Sequence, residues 1–437
     1  MKNISRRSFL KTGAVAAAGL TIVPGSVLGK SFGYTAPSDK LNIAGIAVGG
    51  MGRRNLANMN TENIVALCDV DWHYADKTFK DYPKAKRFKD WRVMFDEMGK
   101  SIDAIMVATP DHTHAGVTAH AITLGKHCYT QKPLTHSVYE SRLLTKLAKK
   151  YKVATQMGNQ GNSFDWCRQI AEWIQSGVIG DVYEVHCWTD RPIWPQGLMK
   201  PNDTPKCPKT LDWDLWIGPA QKRPYNPVYT PWNWRGWWDF GTGALGDMAC
   251  HIMDPLYWAL DLKYPTSVIG SSTLSNLYSP PHAQIVTYTF PARPPKGNVK
   301  MAEVKVYWYD GGLMPPRPEE LKDGQMMGDE NGGIIFIGTK GKIMTGCYGM
   351  NPTLLPVSDM EHFNQPKPTI PRVKGGNGDI WSTNAHEQDW IRACKESPEN
   401  RTEASSNFQF SGPFNEMVVM GVLAVRHCGL EGLHREL

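Results

Sequence analysis

The residues that most constrain this chain are Ala47-Val48-Gly49-Gly50-Met51-Gly52, set between an apolar run, Leu41–Val48, and a helical period that opens at Arg53. A strand that turns at once into a helix points the helix's unpaired N–H groups at whatever lies over the turn, and the helix dipole favours an anion there. The spacing is that of G-x-G-x-x-G with Ala47 in the first glycine's place. Gly49 then lets the backbone approach a pyrophosphate, and Gly52 lets helix pack on strand. A second apolar run, Ile64–Cys68, ends in Cys68-Asp69-Val70-Asp71, and Asp69 falls 17 residues beyond Gly52, where an acid meets ribose hydroxyls. Gly49, Gly50, Met51, Gly52 and Asp69 are therefore expected to hold a dinucleotide. Asp69 would repel a 2′-phosphate, which favours NAD, while Arg53 and Arg54 leave NADP open.

The pattern around this unit repeats. Short apolar runs at Ala104–Ala108, His127–Tyr129 and Val153–Met157 alternate with helical periods at Arg53–Met59, Thr113–Leu124 and Ser137–Lys150. Such alternation predicts an α/β fold with a doubly wound parallel sheet of Rossmann type over residues 40–160. Beyond Met157 the rhythm changes. A helix at Asp165–Gln175 and a strand at Val182–Trp188 precede a Pro- and Trp-rich irregular stretch. A helix then reads at Leu245–Leu260, followed by consecutive strand-like segments and two closing helices. Strands without intervening helices favour antiparallel pairing, so residues 161–437 are expected to form a second α/β domain with a large, mostly antiparallel sheet.

The N-terminus is a separate device. Ser5-Arg6-Arg7-Ser8-Phe9-Leu10-Lys11 precedes a short apolar run, Ala14–Val23, and small residues near Val27-Leu28-Gly29. These are the parts of a signal peptide, and the paired arginines mark the twin-arginine route, so residues 1–29 are expected to direct export to the periplasm or another extracytoplasmic space. The run is too short to span a bilayer. The net charge of +6 falls to +2 once Lys2, Arg6, Arg7 and Lys11 are set aside. A near-neutral remainder argues against nucleic acid or stable membrane insertion. Nine scattered cysteines without a C-x-x-C pair read as free thiols.

Three further stretches carry chemistry. Thr109-Pro110-Asp111-His112-Thr113-His114 and Thr130-Gln131-Lys132-Pro133 follow strands of the parallel sheet, and ligands bind beyond the carboxyl ends of such strands. The third, Gly246-Asp247-Met248-Ala249-Cys250-His251, sets an acid and an imidazole four residues apart on one helix face. Alcohol oxidation needs a base for the hydroxyl proton as hydride departs, and histidine titrates near neutrality. His251 is the expected base, Asp247 its orienting carboxylate, and Lys132 a cation beside the substrate oxygen. His251 with Asp254, or His112 with His114, supply two metal ligands at most, so no metal site is expected.

From Leu41 onward these motifs, in this order, resemble the Gfo/Idh/MocA family, named for glucose–fructose oxidoreductase and inositol dehydrogenase. The resemblance implies that Lys132, Asp247 and His251 are catalytic, that Thr109, Pro110, His114, Gln131 and Lys132 join the cofactor site, and that the protein is a dimer or tetramer. The family's Glu-Lys-Pro is Gln131-Lys132-Pro133 here, so a negative charge is missing. Nine of the sixteen tryptophans lie between Trp188 and Trp258, four of them (Trp232, Trp234, Trp237, Trp238) just before the Asp/His helix. With the family's preference for sugars and polyols, they make a carbohydrate the expected substrate. Outside the cytoplasm there is no nicotinamide pool, so a cofactor carried out with the folded enzyme must be reoxidised in place. Two cycles satisfy this: net sugar oxidoreduction, or a glycosidase or lyase working through transient sugar oxidation.

Overall fold

A computed structural model describes residues 39–378 and 380–433, so the expected signal peptide lies outside the described residues. The chain enters on β1 (Asn42–Ile46) and continues through α1 (Gly50–Asn58), β2 (Asn63–Cys68), α2 (Asp76–Asp81), β3 (Lys86–Phe88) and α3 (Trp91–Met98). It goes on through β4 (Ala104–Val107), α4 (Asp111–Thr123), β5 (His127–Thr130), α5 (Val138–Tyr151) and β6 (Thr155–Met157). All six strands are parallel, in the spatial order β3-β2-β1-β4-β5-β6. The chain therefore reverses direction across the sheet between β1 and β4, which opens a crevice at their carboxyl ends. β1 and β4 are apolar and almost wholly buried because helices cover both faces. The sequence reading missed β3, an edge strand of three residues, Lys-Arg-Phe, of which only Phe88 is buried. So short and charged a segment carries no alternation to detect.

The second half runs through α6 (Asp165–Gln175), β7 (Val182–Thr189), α7 (Trp213–Ile217), α8 (Gly243–Ile252) and α9 (Asp254–Ala259). Eight strands follow: β8 (Ser267–Ser272), β9 (Gln284–Phe290), β10 (Arg293–Lys296), β11 (Val299–Met301), β12 (Val304–Asp310), β13 (Gly332–Gly338), β14 (Lys342–Gly346) and β15 (Thr353–Leu355). α10 (Ala385–Cys394) and α11 (Phe408–Leu433) end the described chain. Seven strands form one sheet, β15-β14-β13-β7-β12-β9-β8, antiparallel except where β7 and β12 run parallel. The single helix expected at Leu245–Leu260 is two, α8 and α9. Pro255 opens α9, and a proline that cannot donate its N–H belongs in a first turn rather than mid-helix.

α10 packs on α1 and β5, and α11 on α5 and β8. Trp390 of α10 is fully buried and meets the Tyr129 ring of β5 edge-on at 5.7 Å. The last two helices thus complete the core of the first-built domain. Cys68, Cys128, Cys167, Cys187, Cys207, Cys250, Cys347 and Cys394 are free thiols, and all but Cys207 are buried.

Candidate active site

Ala47 adopts φ +60° and Gly50 φ +49°, so the turn bends through the left-handed region twice. A Cβ on Gly52 would lie 2.0 Å from the Ala47 carbonyl oxygen, and one on Gly49 would lie 2.2 Å from the Tyr74 ring. Gly52 is fixed by lack of space against backbone, while a side chain at position 49 would have to displace the exposed Tyr74 ring. Asp69, at the end of β2, braces this turn. Its Oδ2 accepts hydrogen bonds from the Val48 and Gly49 amides at 2.8 and 3.3 Å, and its Oδ1 accepts from the Asp71 amide at 2.9 Å. Burial pushes the Asp69 carboxyl up to about 6, against the pull of those amides. α1 opens with no side-chain cap and no acidic residue in its first turn. Thr109 Oγ1, across the turn, is buried without a partner. A narrow, uncapped, acid-free helix start with an unpartnered hydroxyl beside it fits a pyrophosphate. Ala47, Gly49, Gly50, Met51, Asp69, Thr109 and Pro110 all line the cleft above it.

Two residues expected to contact cofactor do other work. His114 is almost fully buried, with ring nitrogens 2.7 Å from the carbonyl oxygens of Pro133 and Thr109, so it staples the loops after β4 and β5 together. Gln131 is buried beneath the cleft. Its amide donates to Asn55 Oδ1 at 2.8 Å, and Asn55 in turn donates to Glu387 of α10. An acid at position 131 would stand in the same buried network as Glu387, whose pKa burial already raises. The neutral amide avoids that repulsion.

At the other end, the loop after β5 delivers Lys132 and α8 delivers Asp247 and His251. Lys132 Nζ donates to Asp247 Oδ1 at 2.7 Å and to the Asp247 carbonyl at 2.9 Å. Arg235 Nε donates to the same Oδ1 at 3.0 Å. Burial alone would raise the Asp247 pKa, but Lys132 and Arg235 outweigh it and hold the carboxylate ionised, well below the usual range. His251 is shifted the other way. Burial, then the Lys132 charge, push its pKa well below the ordinary value, so the imidazole is neutral. The expectation that Asp247 orients His251 needs correction. Helical spacing does place both on one face, but two cations take the carboxylate, and His251 Nδ1 has no partner. The His251 ring rests instead against Tyr348, centroids 4.7 Å apart.

Sequence reasoning missed Arg235, Arg191 and Tyr348, which line the same cleft. Arg235 had a visible signal: it is flanked by Trp234 and Trp232, and its guanidinium lies 4.3 and 4.2 Å from their ring centroids. Of the four tryptophans singled out before α8, Trp232 and Trp234 reach the cleft, while Trp237 and Trp238 are buried core. The cleft, of about 490 Å³, runs from the glycine turn to His251.

Residues 41–159 match the oxidoreductase family's NAD-binding Rossmann fold, and residues 168–272 match its C-terminal alpha/beta domain. The chain belongs to the Gfo/Idh/MocA family. Residues 3–22 match the twin-arginine translocation signal, which indicates export by that route. No helix among the described residues is long and apolar enough to cross a membrane. Within the family, the chain is 29% identical over 93 residues to the rhizopine catabolism protein MocA of Rhizobium meliloti, a match covering 21% of this chain and 29% of that protein. It is 23% identical over 208 residues to a glycosyl hydrolase family 109 protein of Shewanella sp., covering 42% of this chain and 45% of that protein. The chain therefore spans less than half the length of these curated relatives. The WlbA dehydrogenase of Bordetella pertussis, solved with NADH and UDP-GlcNAcA, shares the fold at TM-score 0.57 and 15% identity, covering 90% of this chain and 97% of that one.

Proposed function

We propose that this Gfo/Idh/MocA protein leaves the cytoplasm with NAD bound and passes hydride between it and a carbon of a sugar or polyol. The observation that carries this is one continuous cleft with a dinucleotide turn at one end and a Lys132–Asp247–Arg235 cluster beside a neutral His251 at the other. Bound there, nicotinamide supplies the two-electron acceptor. The residues supply the rest. His251, uncharged and with Nδ1 free of any protein partner, takes the hydroxyl proton as the C–H bond gives up its electron pair and the carbonyl forms. Lys132 stands where charge builds on the reacting oxygen, and Asp247 fixes that ammonium in place. Trp194, Trp232 and Trp234 offer apolar faces to a sugar ring.

A second reading rests on the match to glycosyl hydrolase family 109 proteins: the same site would oxidise a sugar transiently, eliminate a substituent, and return the hydride. The decisive experiment is mass spectrometry of protein purified from its native compartment, before and after denaturation, followed by product analysis with a panel of sugars and glycosides. Release of NAD and formation of a keto sugar support the first reading. A cleaved glycoside with no net redox change supports the second. Protein that neither retains nor binds NAD would refute both.

A further inference from the structure

The substrate end of the cleft is over-supplied with positive charge. Lys132, Arg191 and Arg235 line it, against one lining carboxylate, Asp247. Asp247 is already shared by Lys132 and Arg235, so that trio alone carries a net positive charge. Arg191 adds a further guanidinium. It lies close enough to His251 and Tyr348 for its charge to bear on both, which places it at the reacting end rather than over the glycine turn. Its guanidinium is paired on one side with its neighbour Asp190, which does not line the cleft. Nη1 makes that bond. The Nε and Nη2 donors carry no hydrogen bond to any described residue. The surplus charge of the Lys132–Asp247–Arg235 trio has no further carboxylate lining this end of the cleft, and a neutral sugar offers none. A planar guanidinium with two adjacent free donors matches a carboxylate in bidentate geometry.

The geometry points to a substrate that is a sugar acid, its carboxylate held by Arg191 while a ring hydroxyl faces His251. This rests on the sugar-oxidoreductase reading above and narrows it. Arg191 is then a specificity residue: it touches the substrate's carboxylate and not the hydroxyl that reacts.

The test uses the full NAD-loaded protein and reads binding and chemistry separately. Binding of hexuronates, their parent hexoses and the hexose 6-phosphates is followed by intrinsic tryptophan fluorescence, since six tryptophans line the cleft. Chemistry is followed as single-turnover reduction of bound nicotinamide. Hexuronates should bind roughly ten- to a hundredfold more tightly than parent hexoses, the range for one charge-assisted pair of hydrogen bonds. Arg191→Met should abolish that preference, and Arg191→Lys should restore only part of it, with NAD affinity unchanged as the control for folding. Uronate binding that depends on Arg191 but gives no nicotinamide reduction would uphold the sugar-acid assignment and sink the redox reading. Hexoses or hexose phosphates binding as well as uronates, or no uronate binding at all, would overturn the assignment even if hexoses reduce the cofactor.

Discussion

Lys132 holds Asp247 by two atoms at once, donating 2.7 Å to the carboxylate and 2.9 Å to the backbone carbonyl of the same residue. The grip crosses from the loop after β5 to helix α8, so one ammonium ties the NAD-binding Rossmann sheet to the C-terminal alpha/beta domain. Asp247→Asn leaves Lys132 and Arg235 side by side without their shared anion, whereas Lys132→Met leaves Asp247 paired with Arg235. Each should slow hydride transfer about a hundredfold or more, and the double variant should be no slower than the worse single one, because the groups act as a unit. Single-turnover rates for the three proteins check this; strictly multiplicative losses would show independent roles.

His251→Ala should slow hydride transfer by about a hundred- to ten thousandfold while NAD binding is retained. Absorbance of the reduced cofactor in a single turnover is the readout. If the variant reduces NAD at the wild-type rate, the proton acceptor lies elsewhere in the cleft.

Asp69→Ala should weaken NAD binding by about 1.5–3 kcal/mol. Part of that loss comes through the turn, because the Val48 and Gly49 amides lose their acceptor. Calorimetric titration of cofactor-stripped protein measures it, and unchanged affinity would remove Asp69 from the cofactor site.

Asp310→Asn should stabilise the protein at high pH and leave it nearly unchanged at low pH. Asp310 is fully buried; Trp308 Nε1 and Gln284 Nε2 donate to its Oδ2, Oδ1 has no partner, and burial pushes its pKa up to about 7. A raised folded-state pKa means that the folded protein holds the proton longer than the unfolded chain. The contribution is fully present below the ordinary Asp value near 4 and is lost as pH rises through 7. The variant's gain should therefore grow between those limits and level off at no more than about 4 kcal/mol. Denaturant melts across that window provide the check, and a pH-independent difference would contradict the assignment.

Export should require Arg6 and Arg7 together. Changing both to lysine should leave precursor in the cytoplasm, as fractionation would show; normal export of that variant would falsify the twin-arginine assignment.

How much of this was legible follows from how local each signal is. Gly49, Gly52 and Asp69 could be read because the strand, turn, helix and second strand that give them meaning lie within 30 residues. Lys132, Asp247 and His251 could be named from their motifs and placed on sheet and helix ends. Their pairing could not be foreseen, because Arg235 comes from an irregular tryptophan-rich segment without periodicity and takes the carboxylate that helical spacing seemed to offer His251. His114 and Gln131 sit in motif positions, yet they spend their hydrogen bonds on loop carbonyls and on Asn55. Only the packing of α10 reveals that last network.

The return of α10 and α11 to the first domain gives synthesis a direction. The glycine turn and Asp69 leave the ribosome early, but Asn55 finds Glu387, and Tyr129 finds Trp390, only after more than two hundred further residues have followed. The nucleotide cradle stays unbraced on one side until then. A chain interrupted before α10 leaves Asn55 and Tyr129 without these partners, so the far end of the polypeptide closes the near one.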